Sequence, residues 1–490
     1  MSWSDAVNEG LFLTPDVKLR PDGNRSILFS IERPDSRLRN IFRFLYPQQA
    51  IILALFDGKR KQSEIQETTA YLFGLKKREA YDVVESIMSL PITRELTVDS
   101  LIMSASEVES KRGRVYDPRD FIVPANSVNF VDVRCNMPCA MLVLPTMRCV
   151  TDCRYCYADH EGCENRQEFD LPFFDRLLIQ ASECGIETIN FSGGDLFSRK
   201  DAFELIQLVL KHDMYASIPT KYPLTRDKVM RLADLGLPNI QISIDALCPD
   251  IIDKLMQVPG YGKKILETIN HLSDFGIGIR TNTVLTPYNI YDAISLMRFL
   301  AEHPNVYRMN FTCYVRSIYR HDDSLFCSSI DVKEFEKEFN QIRREFPNKE
   351  ISFGGGRPDD DPFSGSITER TKAYKERSFC TANRRAVIVL PDGQVTVCEE
   401  LYYHKDFIIG DLKKQSLMDV WNSPKSIKLA YPQKETFPDG ACKDCPDFKD
   451  CHEGLGRCYR EAIKIYGSDH SHWPDPRCPY APVVPNSRSS

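Results

Sequence analysis

Three cysteines stand close together in the segment MRCVTDCRYCYADH, namely Cys149, Cys153 and Cys156. The segment follows an apolar run that predicts a β-strand, so the thiols lie on a short loop at a strand end. A [4Fe–4S] cluster normally takes four cysteine ligands, and a loop that supplies three leaves one iron open to an exchangeable ligand. The alternatives are a chance grouping in a chain with 17 cysteines, or half of a zinc site.

A second motif, Ser192-Gly193-Gly194-Asp195, follows directly after the predicted strand ETINF. Two glycines at a strand end allow backbone groups to come close to a ligand, and an acidic side chain accepts hydrogen bonds from an ammonium group. Loops at the carboxyl ends of neighbouring parallel strands form the usual ligand site of an α/β fold. The sequence therefore predicts that this motif and the cysteine loop share one site.

The spacing Cys-x3-Cys-x2-Cys resembles the signature of the radical S-adenosylmethionine (SAM) superfamily. The resemblance implies that the open iron binds the amino and carboxylate groups of SAM, and that one electron from the cluster cleaves SAM to a 5′-deoxyadenosyl radical. It also implies that Ser192, Gly193 and Gly194 belong to the motif for the SAM amino group. Asp195 stands in place of the glutamate that is usual in the family, so its reach toward SAM is shorter.

Three further residues are assigned by the same resemblance. Tyr155 occupies the aromatic position before the third cysteine, which packs by the adenine in the family. Ser243, in the segment QISID, stands where members contact the SAM ribose or carboxylate, although a buried strand ending in a polar turn explains the same letters. Arg280, in the segment RTNTV, stands where members contact the methionyl or adenine part of SAM.

The elements that must position these residues alternate along the middle of the chain. Short apolar strands are predicted at 141–145, 188–192, 216–219, 240–244, 277–284 and 307–312, and amphipathic helices at 170–184, 201–212, 227–235, 263–275 and 290–302. Repeated strand–helix units favour parallel strands with right-handed crossovers. Six of them predict an α/β fold with a partial (β/α)6 barrel rather than a closed eight-stranded one.

The last third of the chain carries a second, ordered series of cysteines. They are Cys380, Cys398 (after Gly393-x4), Cys442, Cys445, Cys451, Cys458 and Cys478. This order resembles the SPASM domain of peptide-modifying radical SAM enzymes, which binds two auxiliary iron–sulfur clusters. One spacing departs from the pattern, since six residues rather than three precede Cys458. Cysteine pairs followed by later cysteines also occur in zinc ribbons, so structural zinc is the alternative.

The resemblance further implies how these cysteines divide between the two clusters. Four would hold one of them: Cys442, Cys445, Cys451 and Cys478. Three would hold the other: Cys380, Cys398 and Cys458. The second set is one thiolate short, so that cluster has an open iron, a non-cysteine ligand or a further thiolate. The candidates for the further thiolate are Cys135, Cys139, Cys313 and Cys327.

The first hundred residues predict a different module. The segments LFLTPDVKLRPDG and RSILFSIERPD predict paired strands around Asp22-Gly23, and helical patterns follow. Residues 46–65 resemble the PqqD-like peptide-recognition element, a winged-helix-like domain that captures the leader of a precursor peptide by strand addition. The predicted organisation is a recognition domain at 1–103, a bridging region at 104–139, the radical SAM barrel at 140–355, the SPASM domain at 356–482 and a disordered tail at 483–490.

Composition restricts the partners and the compartment. The net charge of −6 and the lack of a lysine–arginine tract argue against nucleic acid as a partner. The N-terminus MSWSDAVNEG does not resemble a signal peptide, and no apolar run approaches ~20 residues, so no membrane span is expected. Cysteines at this number without a secretion signal favour metal ligands in a reducing compartment, and we expect a cytoplasmic protein.

Together with the resemblances, these motifs predict a radical SAM enzyme acting on a ribosomally synthesised precursor peptide. It would use SAM, a [4Fe–4S] SAM-binding cluster and two auxiliary clusters to abstract a hydrogen atom and install an oxidative crosslink, either a thioether or a C–C or C–O bond. A flavodoxin- or ferredoxin-type reductant is implied. Two alternatives stay open: a maturase that oxidises Cys or Ser in a protein substrate, as sulfatase-maturing relatives do, and a non-catalytic zinc-binding scaffold. No side chain outside the cofactor sites is assigned a catalytic role.

Overall fold

The structure is a computed structural model of the 490-residue chain. It describes residues 9–31, 36, 40–108, 113–158, 167–320, 322–354, 366–402, 404–438 and 440–483, so nearly all of the predicted tail lies outside the described residues. The chain divides into two compact units, Met1–Met137 and Pro138–Ser490. The division falls near the end of the predicted bridging region.

The N-terminal unit combines two small antiparallel sheets with three helices. Its elements are β1 (Leu11–Leu13), β2 (Val17–Asp22), β3 (Arg25–Ser30), β4 (Phe42–Leu45), α1 (Pro47–Leu53), α2 (Gln62–Phe73), α3 (Lys77–Met88) and β5 (Ile102–Ser104). The predicted hairpin is present: β2 pairs with β3, and β4 extends the sheet in the order β2-β3-β4. Its tight turn requires the left-handed conformation at Gly23, whose φ is 65°.

Most of the predicted bridging region packs on this unit. Phe121 joins the core cluster formed by the strands and helices of residues 11–101. The hydroxyl of Tyr116 accepts a hydrogen bond of 3.1 Å from the Leu19 amide on β2. The buried guanidinium of Arg25 donates to the Arg134 carbonyl at 2.8 Å. Residues 113–137 therefore hold the N-terminal unit together and are not a free tether.

This packing predicts a large effect for one substitution. Phe121→Ala is expected to lower the free energy of unfolding of the N-terminal unit by ~3–5 kcal/mol, because it empties a buried aromatic site. Phe121 is 2% exposed, whereas its neighbour Ile122 is 67% exposed, so Ile122→Ala is the matched control. Denaturant-dependent amide hydrogen exchange of the full chain measures both. Equal stability of the two variants would contradict the placement of this segment in the core.

The second unit begins with a parallel strand–helix series. Its elements are β6 (Ala140–Val143), α4 (Leu171–Glu183), β7 (Thr188–Phe191), α5 (Ala202–Lys211), β8 (Tyr215–Ser217), β9 (Pro219–Thr220), α6 (Arg226–Asp234), β10 (Asn239–Ser243), α7 (Pro249–Met256), α8 (Tyr261–Asp274), β11 (Gly278–Leu285), α9 (Asp292–Glu302), β12 (Val306–Cys313), α10 (Ser329–Glu345) and β13 (Glu350–Gly354). Helix α4 begins at the predicted position, because the Asp170 carboxylate caps its N-terminus by accepting a hydrogen bond of 2.9 Å from the Phe173 amide.

The helices and strands in the C-terminal part of the same unit are shorter. They are α11 (Ile367–Lys375), β14 (Ala386–Val389), β15 (Gln394–Thr396), β16 (Ile408–Asp411), α12 (Leu417–Trp421), α13 (Pro424–Ala430) and α14 (Tyr459–Tyr466). No helix of the described residues has the length and apolar character needed to cross a membrane.

All six predicted barrel strands are present and pair in parallel, but the sheet continues beyond them. One sheet has the order β13-β12-β11-β10-β9 and the other the order β16-β15-β14-β6-β7-β8, and the chain passes from the second to the first between β8 and β9. At one side β13 pairs in parallel with β12, and at the other β14 pairs in parallel with β6. The predicted strand at 216–219 is divided into β8 and β9, which lie in different sheets, and β13 and β14 are parallel strands that the sequence did not predict. Only one side chain of β13 is fully buried, and β14 lies in the cysteine-rich region, which explains why the sequence pattern revealed neither.

Candidate functional site

A cavity of about 330 Å³ opens at the carboxyl ends of the parallel strands. The sequence-predicted residues in its wall are Cys149, Cys153, Tyr155, Cys156, Ser192, Gly193, Gly194, Asp195 and Ser243. The cysteine loop follows β6, the glycine motif follows β7, and Ser243 ends β10. The parallel topology thus brings residues that are far apart in sequence into one site, as predicted.

The cysteine loop is fixed by backbone contacts to the end of α7. The amides of Asp152 and Arg154 donate to the carbonyls of Met256 and Leu255 at 3.1 and 3.0 Å. Burial raises the pKa of all three thiols of the loop, that of Cys156 to about 11. Buried thiols in such surroundings ionise at neutral pH only when a cation or a metal stabilises the thiolate. The loop is therefore suited to holding a metal centre and not to acting as a set of free nucleophiles.

The glycine motif is locked against the chain that enters the cysteine loop. The amides of Gly194 and Asp195 donate to the carbonyls of Thr146 and Arg148 at 2.9 and 2.8 Å. Gly193 has a φ of +89°, and a Cβ on Gly194 would lie 2.3 Å from the Arg148 carbonyl oxygen. Larger residues would push the two loops apart. The glycines thus set the position of Cys149 as well as part of the cavity wall.

Asp195 is turned toward the protein. Its carboxylate accepts from the Phe197 amide at 3.0 Å, the Thr220 hydroxyl at 2.7 Å and the Lys221 amide at 2.8 Å. Burial raises the pKa of this carboxyl. Oδ2 joins the loop after β7 to the end of β9, and Oδ1 caps the turn that follows within the same loop, so Asp195 positions the loop in this structure. Its predicted contact with the SAM amino group stays a prediction.

Lys221, which no sequence motif indicated, is the centre of a charged cluster in the cavity wall. Its ammonium group donates to Asp245 Oδ2 at 2.9 Å and to the Tyr155 hydroxyl at 2.5 Å, and that hydroxyl also donates to Asp245. The Lys221 charge opposes the rise in pKa that burial causes in Cys153. All five of the other predicted barrel strands have a residue of the cavity wall at or after their carboxyl end, and the same rule applied to β9 would have found Lys221.

Ser192 contacts a residue of the cysteine-rich region. Its hydroxyl donates to Glu399 Oε2 at 2.7 Å, and the Tyr157 hydroxyl lies 3.1 Å from Ser192 Oγ. Glu399 directly follows Cys398 in the chain. The glycine motif is therefore joined by one hydrogen bond to the segment that carries a predicted auxiliary ligand. Sequence offered no signal for this contact, because it depends on tertiary packing alone.

Arg280 lies apart from the other predicted SAM contacts. It is absent from the cavity wall, where Asn282 and Val284 of the same strand are present. Along β11 the half-buried residues alternate with buried ones, so Arg280 lies on the face of Asn282 but one repeat earlier in the strand. Its guanidinium donates to the Ser217 hydroxyl at 3.3 Å. The structure therefore brings Ser243, but not Arg280, to the cavity.

The C-terminal cysteines fall into the two predicted groups. A cavity of about 300 Å³, which we call the four-cysteine pocket, is lined by Cys442, Cys445, Cys451 and Cys478. The charges of the other three thiols contribute to the raised pKa of Cys478, which is about 12 and is caused mainly by burial. The four sulfurs are thus close enough to interact with one another although Cys478 is distant in sequence.

The remaining three form a second group. Burial raises the pKa of Cys398 to about 12 and that of Cys458 to about 11, and Cys458 adds to the shift of Cys398. Cys380 lines a small cavity together with Gly456 and Tyr459, which flank Cys458 in the chain. We call Cys380, Cys398 and Cys458 the three-cysteine group. Within the described part of the chain, no three Cys, His or acidic side chains are placed to hold a single metal ion, as a zinc site requires.

Two of the candidate extra thiolates contact each other. The side chains of Cys313 and Cys327 are hydrogen-bonded, and this contact raises the pKa of Cys327 together with burial. Cys313 also lines the cavity at the strand ends, beside Tyr314. The Cys313 thiol therefore lies at the cavity of the barrel, and the Cys327 thiol is hydrogen-bonded to it.

Comparisons with known proteins agree with this geometry. Residues 143–300 match the Radical SAM superfamily, and residues 380–446 match the SPASM iron–sulfur cluster-binding domain. The first match includes the cysteine loop and the glycine motif, and the second includes Cys380, Cys398, Cys442 and Cys445. The chain therefore carries a segment that matches the radical SAM superfamily, followed by a segment that matches an iron–sulfur cluster-binding domain.

Named relatives cover much of the chain at low identity. The PqqA peptide cyclase of Rhizobium meliloti (strain 1021) is 23% identical over 71% of this chain and 88% of its own length. The subtilosin biosynthesis protein AlbA of Bacillus subtilis (strain 168) is 24% identical over 65% of this chain and 66% of its own length. The crystal structure of Streptococcus suis SuiB bound to S-adenosylmethionine superposes with a TM-score of 0.63 at 17% identity, covering 96% of this chain and 99% of SuiB. At this identity the likeness to SuiB concerns the fold.

Proposed function

We propose that this enzyme abstracts a hydrogen atom from a residue of a ribosomally synthesised precursor peptide and installs an oxidative intramolecular crosslink, a thioether or a C–C or C–O bond. The observation that carries the proposal is the presence, in one unit, of the cysteine loop at the strand-end cavity and two further cysteine groups. An oxidative bond closure requires an electron acceptor besides SAM, and the two C-terminal groups offer such acceptors. The names of the relatives support a peptide substrate, since one is a peptide cyclase and SuiB has been crystallised with its precursor peptide SuiA.

The cofactor ligands follow from the groups described above. Cys149, Cys153 and Cys156 would hold the [4Fe–4S] cluster at which SAM is reductively cleaved to the 5′-deoxyadenosyl radical. Cys442, Cys445, Cys451 and Cys478 would hold one auxiliary cluster, and Cys380, Cys398 and Cys458 the other. The match of residues 380–446 to an iron–sulfur cluster-binding domain favours iron–sulfur clusters over zinc.

Side chains of the cavity wall and of the adjoining sheet would orient the ligand and the peptide. The cluster of Tyr155, Lys221 and Asp245 keeps the wall beside Cys153 in place, and its fixed charges orient a polar ligand. The concave face of the sheet is polar: Asn310 donates to Asn282 at 2.7 Å, and Ser352 donates to Asn310 at 2.9 Å. Such side chains offer hydrogen bonds to the amides of a peptide. Exclusion of water from this site would protect a reactive radical from quenching.

Leader capture is proposed for the N-terminal unit by strand addition to the sheet β2-β3-β4. The β2 side of this sheet is covered, because Tyr116 accepts from the Leu19 amide and Arg114 donates to the Pro15 carbonyl at 2.9 Å. We therefore place the leader on the β4 side. Main-chain hydrogen bonds would supply the affinity and alternate side-chain pockets the specificity.

The test uses the reconstituted full chain with SAM, a flavodoxin-type reductant and short peptides encoded beside its gene. A modified peptide is expected to be lighter by two hydrogen atoms for each bond formed, with the same peptide lacking its leader left almost unchanged. Tandem mass spectrometry locates the bond. Solvent deuterium in a peptide of otherwise unchanged mass would indicate redox-neutral epimerisation and overturn the crosslinking proposal. Modification of a leaderless peptide at a single Cys or Ser would favour the protein-maturase alternative.

A further inference from the structure

The four-cysteine pocket contains side-chain donors aimed at one of its sulfurs. The Tyr374 hydroxyl lies 2.8 Å from Cys451 Sγ, and Arg377 Nη2 donates to the same sulfur at 3.6 Å. Arg377 also fixes Tyr374, because its Nη1 donates to the Tyr374 carbonyl at 2.6 Å and its guanidinium stacks 3.8 Å from the centre of the tyrosine ring. The two donors act as one rigid unit on Cys451.

A third donor, Arg457, lines the same pocket and is 6% exposed. Its Nη2 donates to the carbonyls of Ser471 and Trp473. Its Nε and Nη1 are buried and have no hydrogen-bond partner among the described residues. A buried guanidinium with two unused donors is costly unless an acceptor satisfies them. The charge of Arg457 already opposes the effect of burial on Cys442, so the guanidinium lies within electrostatic reach of that thiol.

These unused donors fit an iron–sulfur cluster. Its cysteine and inorganic sulfurs carry negative charge and accept hydrogen bonds, so a cluster in the pocket would give Arg457 an acceptor. A single zinc ion with four thiolates would fill less of the cavity. The pocket therefore provides hydrogen-bond donors as well as cysteine ligands, and these donors suit an anionic group.

The three-cysteine group has different surroundings. Cys398 and Cys458 accept hydrogen bonds from the backbone amides of Glu400 and Glu461. The carboxylates of these two glutamates lie nearby, where both pair with Arg460, at 2.7 and 2.9 Å. Arg384 and Arg457 also line the small cavity of Cys380, and the buried carboxylate of Asp475 lines the four-cysteine pocket. The feature specific to the four-cysteine pocket is therefore the pair of side-chain donors at Cys451.

We infer that Tyr374, Arg377 and Arg457 are positioning residues that raise the reduction potential of the auxiliary cluster in the four-cysteine pocket. The inference rests on the cluster assignment of the proposed function. Hydrogen bonds to sulfur and nearby positive charge stabilise the reduced form, which carries one more negative charge. A cluster that is easier to reduce is a better acceptor for the electron that the substrate radical loses, with a proton, when the new bond forms.

The test is a redox titration of the anaerobically reconstituted full chain, followed by electron paramagnetic resonance. Cys445→Ala identifies the signal of the four-cysteine pocket. Arg457→Met, Arg377→Met and Tyr374→Phe are each expected to make reduction of that cluster about tenfold less favourable, a fall of ~59 mV for one electron, and to leave the other signals in place. Lys375→Met is the matched control, because Lys375 lines the same pocket but is exposed.

Each result decides a separate claim. Unchanged potentials in all three variants, with the signal intact, would overturn the inference and leave the proposed function standing. Unchanged iron content and spectra in Cys445→Ala would instead overturn the ligand assignment. If Arg457→Met does not fold, Arg377→Met and Tyr374→Phe carry the test, since Arg377 is partly exposed and Tyr374→Phe keeps the aromatic ring.

Discussion

Replacing Cys149, Cys153 and Cys156 together by alanine is expected to lower the iron of the reconstituted enzyme from about twelve to about eight atoms per chain. The same variant should lose reductive cleavage of SAM, because no thiolate of the cysteine loop is left to hold the cluster at the cavity. Iron and sulfide analysis measures the first effect, and chromatographic detection of 5′-deoxyadenosine measures the second. The loss of 5′-deoxyadenosine should reach the background of the assay without enzyme.

The control variant removes cysteines that lie outside the three groups. Cys184 is buried at the end of α4, and Cys248 precedes α7, so Cys184→Ala with Cys248→Ala alters buried or half-buried thiols without touching a proposed ligand. This variant is expected to keep its iron and its SAM cleavage. Unchanged iron in the triple variant, or zinc in place of auxiliary iron in the parent protein, would remove the basis of the three-cluster assignment.

Asp245→Asn is expected to produce the second large effect, a loss of ~3–5 kcal/mol in the free energy of unfolding. Asp245 is 1% exposed and pairs with Lys221 at 2.9 Å. Burial lowers the pKa of Lys221, but the charge and hydrogen bond of Asp245, together with the charges of Cys153 and Cys156, outweigh burial and raise the net pKa, so the lysine is charged at neutral pH. Removing the carboxylate leaves a buried cation without its main partner. Urea unfolding of the full chain measures the loss.

Two further variants separate charge from packing. Lys221→Met combined with Asp245→Asn removes both charges and should recover most of the lost stability, while SAM binding, measured by calorimetry, stays weakened because the wall beside Cys153 has lost its fixed charges. Asp274→Asn breaks the exposed pair with Arg226 and should cost less than ~1 kcal/mol. If Asp245→Asn were as mild as Asp274→Asn, the pair would have no structural role.

The sequence predicted the framework of the site well, for physical reasons. The barrel strands are short apolar runs separated by amphipathic helices, and this pattern can be recognised from one sequence alone. Because parallel strands end on the same side of a sheet, the order of strands and motifs along the chain was enough to place the cysteine loop, the glycine motif and Ser243 together. The hairpin around Gly23 was predictable for a similar reason, since its turn chemistry is local.

Long-range contacts explain what the sequence could not provide. The side chain of Glu399 contacts Ser192, and Arg457 lines the four-cysteine pocket. Both contacts depend on tertiary packing, which the spacing of residues along the sequence does not indicate. Arg280 was assigned by resemblance to a strand, and the structure has it one repeat away from the cavity wall. β14 was hidden because an ordinary apolar run in a cysteine-rich region does not reveal which distant strand it joins.

The pairing of β14 with β6 has a consequence for synthesis of the protein. β6 pairs with β7 on one side, and on the other side its Val143 lies opposite Val389 of β14. The strand that leads into the cysteine loop therefore acquires its second neighbour only after most of the chain has left the ribosome. Until then β6 is an edge strand whose open amides and carbonyls invite association with other chains. A nascent or truncated enzyme ending before β14 should therefore aggregate through the open side of β6.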